Sequence, residues 1–149
     1  MSMAAANQIE SGQVGQVEQV EQVEQVEQVE HNFDFDKALI AKPEWSARLM
    51  SKVNPKTWEL RNGNTKIRGK VGIMASGQKE LLGEAVLVNS FPLTQELYEQ
   101  NMGKHQTRCW EDVAGRYKKP HVWVFEDGKQ YSEPISVPRK NGQVIWARW

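Results

Sequence analysis

The sequence predicts an α+β fold, in which a small, strongly bent mixed sheet or barrel is flanked by two or three short helices and preceded by a disordered N-terminal arm. Three observations support this prediction. The first 36 residues are acidic and repetitive, the remaining 113 contain five to seven short strand patterns, and only two or three segments have helical spacing. The total length of 149 residues suits one folded domain.

The segment 1–36 is predicted to be a low-complexity arm. It repeats the triplet Gln-Val-Glu over 16–30 and contains eight acidic residues but no Lys or Arg. A period of three turns the Val side chains by about 60° per repeat around a helix, and it places successive Val residues on alternate faces of a strand. Burial therefore cannot offset the entropy of ordering, and we expect disorder. The arm has a net charge of −8, and the expected folded domain, 37–149, has +8.

The folded domain is expected to open with a strand and a helix. The apolar run at 38–40 indicates the strand, and Pro43 suits the first position of the helix. The helix should stop before Asn54-Pro55, because the residue before a proline is biased away from helical geometry. Three apolar side chains recur within it at four-residue spacing: Trp45, Leu49 and Val53.

A second strand and a hairpin are expected next. Residues 56–61 alternate, so Trp58 and Leu60 should pack on one face while the other face stays polar and available. Segments 71–76 and 82–88 are expected to form a hairpin around the intervening Gly-Gln-Lys-Glu turn.

The last third of the chain is expected to contain two short helices and further strands. Thr94 can cap the first helix, and the second is expected at 107–114. A largely apolar strand follows at 121–125, and Asp127-Gly128 is expected to turn it into another strand. A further turn at Asn141-Gly142 precedes the final strand.

Several of these segments, taken in order, resemble the ASCH domain family. The resemblance covers essentially all of 37–149 and implies a PUA-like β-barrel, from a superfamily widely used for RNA binding, with a cleft lined by the segment 56–61. That architecture agrees with the number of strands expected from the alternation. The matching segments are Pro43-Glu44-Trp45, Lys-Thr-Trp-Glu-Leu-Arg at 56–61, Gly-Ile-Met-Ala-Ser-Gly at 72–77, Gly-Glu-Ala at 83–85, His-Val-Trp-Val-Phe at 121–125, Glu-Pro-Ile at 133–135, Gly142 and Trp146.

Lys56, Glu59 and Arg61 are the candidate catalytic and binding residues. Arg61 can donate two hydrogen bonds to a phosphate or a base edge. Lys56 can neutralise a phosphate or, if desolvation lowers its pKa, act as a base or nucleophile. Glu59 can accept a proton from a ribose hydroxyl or hold the two cations in place. The spacing alone also fits an ordinary solvent-facing ion pair on a strand.

Further nucleic-acid contacts are expected from basic, polar and aromatic residues outside this trio. Single-stranded nucleic acids are bound by cationic tracks beside aromatic rings on which bases stack. His105 is included because related sequences often carry a His in this linker. These candidates are Lys66, Arg68, Ser76, His105, Tyr117 and Lys118.

We therefore predict a domain that binds RNA or another single-stranded nucleic acid. One alternative is a ribonuclease or a modified-nucleoside hydrolase that uses the same cleft, and another is a module for acidic protein partners. Some ASCH relatives are amidohydrolases with a Lys and, three residues later, a Thr; here that position is Glu59. A ribonuclease needs only a base and a cation, which Glu59 with Lys56 or Arg61 would supply.

No cofactor, metal or membrane partner is expected. The glycines lack phosphate-loop spacing, and His105 with Cys109 has no evident further ligands for zinc. No apolar run approaches the roughly 20 residues of a membrane span, and no signal peptide is evident. With a lone cysteine, the sequence suggests a cytoplasmic protein.

Overall fold

A computed structural model describes residues 33–149, which are organised around one six-stranded sheet. The strand order is β2-β5-β4-β3-β1-β6; β1 and β3 are parallel, and all other neighbours are antiparallel. The sheet curls into a half-barrel, so the predicted α+β fold is confirmed. The predicted arm lies almost wholly outside the described residues, and the domain division at residue 36 stays a prediction. The strands are β1 (Lys37–Ala41), β2 (Trp58–Asn62), β3 (Gly69–Ala75), β4 (Glu80–Pro92), β5 (Pro120–Ser136) and β6 (Trp146–Arg148).

Four short helices connect the strands of the described part. They are α1 (Pro43–Leu49), α2 (Gln95–Gln100), α3 (Met102–His105) and α4 (Trp110–Arg116). The predicted cap of α2 is confirmed, since the Thr94 hydroxyl accepts a hydrogen bond from the Leu97 N–H at 3.2 Å. Within 33–149, no helix has the length and apolar character needed to cross a membrane.

Helix α1 ends earlier than its apolar spacing predicts. It stops at Leu49, and Val53 lies beyond it with 75% of its surface exposed. The Ser51 hydroxyl accepts a hydrogen bond from the Val53 N–H at 3.1 Å and donates one to the Val53 carbonyl at 2.8 Å. Because this local turn competes with helical hydrogen bonding, the expectation that Val53 packs on the helix face is wrong.

Strand β5 is one continuous strand of 17 residues, so the predicted turn at Asp127-Gly128 is wrong. Asp127 has a φ of 54°, and the register between β4 and β5 shifts at this point. The strand pairs with β4 on both sides of the irregularity, with Val86 opposite Glu126 and Glu84 opposite Lys129. The one extra residue of β5 is therefore absorbed as a bulge, which bends the strand without reversing it.

Two apolar clusters form the core. One is centred on Trp123 and Phe125 of β5 with Leu49 and Met50 at the end of α1. The other joins β2 and β5 to the helices that follow β4: Trp58, Leu60, Leu93, Tyr98, Val113 and Val122. Since neighbouring residues of a strand point to opposite faces, the clusters occupy opposite faces of β5. The second cluster thus covers β2, which is the last strand of the sheet, with helices.

Two glycines allow α1 to end directly on the sheet. A Cβ atom at Gly128 would overlap the carbonyl oxygen of Leu49, and one at Gly83 would overlap the sulfur of Met50 and the carbonyl oxygen of Lys129. The end of α1 therefore rests on β4 and β5 at positions where any side chain would displace it.

Candidate functional site

A cavity of about 310 Å³ lies between α1, the edge strand β2 and α4. Helix α1 contributes Glu44 and Trp45 to its wall, and the chain entering and forming β2 contributes Lys56, Glu59 and Leu60. The remaining wall comes from the segment 107–117. The site is thus assembled from three parts of the chain, and the segment 107–117 is far in sequence from the other two.

Lys56 is the deeply buried cation of this cavity. Only 2% of its surface is exposed, and its ammonium group donates a hydrogen bond to the His105 carbonyl. The ammonium nitrogen lies 3.8 Å from Glu59 Oε1 and 4.8 Å from the centroid of the Trp45 ring. Burial lowers the pKa of Lys56 to about 8, and the opposing attraction of Glu59 is too weak to restore the usual value.

Arg61 holds Glu59 in position. Its Nε and Nη2 atoms lie 3.0 and 2.9 Å from Glu59 Oε2, and Nη2 also donates to the Ile40 carbonyl at 2.8 Å. The guanidinium lies 5.7 Å from the centroid of the Trp123 ring. Arg61 is not among the residues that line the cavity. Its partners leave Glu59 Oε1 as the carboxylate oxygen on the Lys56 side.

The trio is not a solvent-facing ion pair. Glu59 is only 5% exposed, so the expected available polar face of the strand is in fact covered. Strand β2 begins at Trp58, and Lys56 precedes it. Lys56 is therefore free of the strict alternation of side chains along a strand, which lets its ammonium approach Glu59.

Helix α4 and its flanks present one face to the cavity. The lining residues fall in adjacent pairs four residues apart, which is the spacing of a helix face: Arg108 and Cys109, Asp112 and Val113, Arg116 and Tyr117. Both arginines are exposed, and neither forms an ion pair with any of residues 33–149. Sequence reasoning placed only Tyr117 of these residues in the site, although the four-residue spacing was available to identify the others.

The charges of the cavity are mixed. Three acidic side chains, of Glu44, Glu59 and Asp112, and three basic ones, of Lys56, Arg108 and Arg116, line it. The buried lysine and glutamate lie inside, whereas the exposed arginines belong to the outer part. The cavity interior is therefore suited to a neutral polar group, and the outer arginines to an anionic one.

His105 lies behind the cavity wall. It is fully buried, its ring stacks on Tyr98 with 4.0 Å between centroids, and its Nε2 is 2.8 Å from the Tyr98 carbonyl. Burial lowers its pKa. Its carbonyl, rather than its ring, meets Lys56, so it acts on the site through that lysine. Within 33–149, no three His, Cys, Asp or Glu side chains converge in a way that could hold a metal ion.

The other candidates lie outside the cavity wall. Arg68 donates to the Ser90 hydroxyl at 3.0 Å, and Lys66 is exposed in the same loop between β2 and β3. Lys118 is exposed next to Tyr117, and the following residue, Lys119, accepts a hydrogen bond from Gly63 at 2.8 Å. Those two basic loops are thus joined. Ser76 is exposed in the turn between β3 and β4.

The structure is similar to solved structures of an ASCH protein from Zymomonas mobilis. A serine-to-alanine variant of that protein gives a TM-score of 0.60 at 16% identity, over 76% of this chain and 87% of that chain. A tyrosine-to-phenylalanine variant gives 0.57 at 17% identity, over 73% and 86%. The unaltered protein gives 0.55 at 15% identity, over 73% and 84%.

These similarities confirm the ASCH-domain fold that the sequence resemblance implied. No protein-family model matches the sequence, and a comparison with curated proteins finds no match. At such low identity, the solved structures establish the fold and leave the activity to be argued from the site.

Proposed function

We propose that this ASCH-fold protein binds single-stranded RNA and that the cavity takes one nucleotide of the strand. The observation that carries the proposal is a lysine with 2% exposure that faces a cavity of about 310 Å³ beside a buried carboxylate. Buried lysines are rare, and perturbed ionisable groups in a cleft are typical of functional sites. Small-molecule sites measure roughly 300 to 1,000 Å³, so this cavity suits a single nucleoside. The proposal includes a cytoplasmic location, which the free Cys109 supports.

The surroundings of the cavity suit a strand that continues outside it. Arg108 and Arg116 are available for phosphates, and the half-buried Tyr117 and Trp45 offer aromatic surface for stacking. Beyond Tyr117, further phosphates can meet exposed cations on the two joined loops: Lys66, Arg68, Lys118 and Lys119. A base must be unstacked to enter a cavity, which favours a single strand over a duplex.

The same geometry supports hydrolysis as a second candidate function. Lys56 has a pKa of about 8, and its ammonium lies 3.8 Å from Glu59 Oε1. Glu59 would act as the general base, and the neighbouring ammonium of Lys56 would stabilise developing charge. Arg61 would be a positioning residue, because its contacts are to Glu59 and the Ile40 carbonyl. The substrate class would be a ribose phosphate or a modified base.

RNA binding is tested by fluorescence anisotropy of a labelled single-stranded RNA 12-mer with the full-length protein. We expect the logarithm of the binding constant to fall with the logarithm of the salt concentration, with a slope of about −0.7 per phosphate contacted. Arg116→Gln should make this slope shallower, whereas Lys70→Met, which changes an exposed lysine outside the cavity wall, should leave it unchanged. Absence of RNA binding at low ionic strength would refute the proposal and favour an acidic protein partner.

Hydrolysis is tested by incubating the protein with total RNA and following both cleavage and nucleoside composition. Turnover that is lost in Glu59→Gln while RNA binding remains would support the second candidate. Intact RNA with unchanged nucleosides after long incubation would leave binding as the function.

A further inference from the structure

The edge strand β2 has one long side without a strand partner. Its other side pairs with β5, from Trp58 opposite Val124 to Asn62 opposite Pro120. In the part of the chain that the structure describes, no strand adds to the free side, and the cavity lies beside it at Leu60.

The hydrogen-bond alternation of the strand fixes where the main chain of Leu60 points. The Phe125 N–H donates to the Thr57 carbonyl at 2.7 Å, and the Gly63 N–H donates to the Lys119 carbonyl at 2.8 Å. Within β2, which begins after Thr57, the odd-numbered residues Glu59 and Arg61 therefore direct their main-chain groups to the β5 side. It follows that the N–H and C=O of Leu60 point away from β5, toward the free side.

These two main-chain groups are buried without a protein partner. Leu60 is 6% exposed, its side chain belongs to the apolar cluster under the helices, and no group among residues 33–149 forms a hydrogen bond with its N–H or C=O. More than nine in ten buried main-chain groups are paired in folded proteins. An unpaired donor and acceptor on a cavity wall indicate a site that a ligand completes.

We infer that the N–H and C=O of Leu60 recognise the edge of a nucleobase, a reading that rests on the function proposed above. The two groups point the same way from one residue, so they match an acceptor and a donor that are neighbours on a Watson–Crick edge. Lys56 adds a donor and Glu59 Oε1 an acceptor to the same wall. Leu60 is thus a specificity-determining residue through its main chain rather than its side chain.

The neighbouring residues favour a base over an extended peptide as the occupant. A peptide that adds a strand needs several alternate main-chain positions along the edge. At the start of β2, the Thr57 N–H donates to the Lys104 carbonyl at 3.0 Å, and the Lys104 ammonium lies 5.4 Å from the Trp58 ring centroid. Helix α3 thus covers that end, and Leu60 is the position of the free side that opens on the cavity.

The inference is tested by NMR on the ¹⁵N-labelled full-length protein with AMP, CMP, GMP and UMP as separate probes. With the nucleotide that binds best, we expect the Leu60 amide proton to shift downfield and its hydrogen exchange to slow by about tenfold, as for one new hydrogen bond. The amides of Glu59 and Arg61, which face β5, are internal controls and should change little.

The outcomes separate the two proposals. Nucleotide binding that shifts Tyr117 but leaves the Leu60 amide unchanged would overturn the main-chain inference alone. Absence of binding by all four nucleotides and by the RNA 12-mer would overturn both. Joint protection of the Trp58, Leu60 and Asn62 amides by an acidic peptide would replace the base with a peptide strand.

A pair of variants provides a second test. Leu60→Pro removes the N–H, and an edge strand tolerates proline where the N–H points outward. Leu60→Val shortens the side chain but keeps the N–H, so it is the matched control. We expect Leu60→Pro to bind the best nucleotide about tenfold more weakly than Leu60→Val. Equal affinities would overturn the inference, and if Leu60→Pro does not fold, the exchange measurement on the natural protein decides.

Discussion

Two clusters in this domain each pair a lysine with carboxylates, but the pKa values of the two lysines shift in opposite directions. The Lys56 side chain is 1% exposed beside Glu59, whereas the Lys70 side chain is 38% exposed beside Asp34 and Glu84. Burial lowers the pKa of Lys56 to about 8, but a hydrogen bond to Asp34 and the charge of Glu84 raise the pKa of Lys70. Solvent access therefore decides the direction of the shift, and only the buried cluster has chemistry that differs from that of a free lysine.

The largest contrast is expected when the carboxylate of each cluster is neutralised. Glu59→Gln removes the negative charge that pairs with both Lys56 and Arg61, so we expect the free energy of unfolding to fall by about 3 kcal/mol. Glu84→Gln affects a partly exposed pair and should change stability little. Urea unfolding at pH 7 measures both. Equal losses in the two variants would show that burial does not distinguish the clusters.

Replacing Lys56 is expected to change the free energy of unfolding by a smaller amount and in the opposite direction. Keeping Lys56 charged in the folded state at neutral pH costs about 3 kcal/mol, from the pKa difference. Lys56→Met removes that cost but loses the hydrogen bond to His105, so we expect unfolding to require about 1 to 2 kcal/mol more while RNA affinity falls.

Lys70→Met is the matched control for this change and should alter neither quantity measurably. If Lys56→Met is less stable than the natural protein, Lys56 holds the fold together, and the argument for a functional lysine is lost.

The smallest contrast is in the dependence of stability on pH. The unfolded state keeps the proton of Lys56 up to a pKa of 10.5, whereas the folded state loses it around pH 8. Between these values the unfolded state binds more protons, so stability rises with pH; relative to Lys56→Met, the gain from pH 7 to 9 should be about 1 kcal/mol.

For Lys70, the sign of the pH dependence is reversed. Its pKa is raised in the folded state, so its contribution is present below 10.5 and is lost as the pH rises further. Because that loss lies above pH 10.5, Lys70→Met should follow the natural protein between pH 7 and 9, whereas Lys56→Met should gain less stability; urea unfolding of the three proteins measures these slopes. A slope in Lys56→Met equal to that of the natural protein would contradict the comparison.

Local sequence patterns predicted most of the fold, because strand alternation and helix capping depend on residues only a few positions apart. The strand alternation around Trp58 and the cap by Thr94 are of this kind, and the hairpin of β3 and β4 was also predicted. The turn at Asp127-Gly128 failed because β4 is long enough to pair with both halves of β5. Turn residues then form a bulge, since ladder hydrogen bonds outweigh the local preference.

The sequence selected Lys56 and Glu59 as candidates by residue type, and that choice stays a prediction. It did not indicate their burial, which depends on α1 and on the segment 107–117, the latter distant in sequence. Arg61 was expected to contact a ligand, but in the structure its guanidinium donates hydrogen bonds to Glu59 and to the Ile40 carbonyl. Such roles depend on long-range partners, which a single sequence does not specify.

The width of the cavity depends on two glycines that contact the end of α1 but lie outside the cavity wall. Gly83 and Gly128 touch no part of the cavity, yet they fix the end of the helix that carries Glu44 and Trp45. A methyl group at Gly128 would overlap the Leu49 carbonyl oxygen, so the end of that helix would have to shift. A substitution outside the cavity wall could thus change which ligand the domain prefers during evolution, while every residue that touches the ligand stays the same.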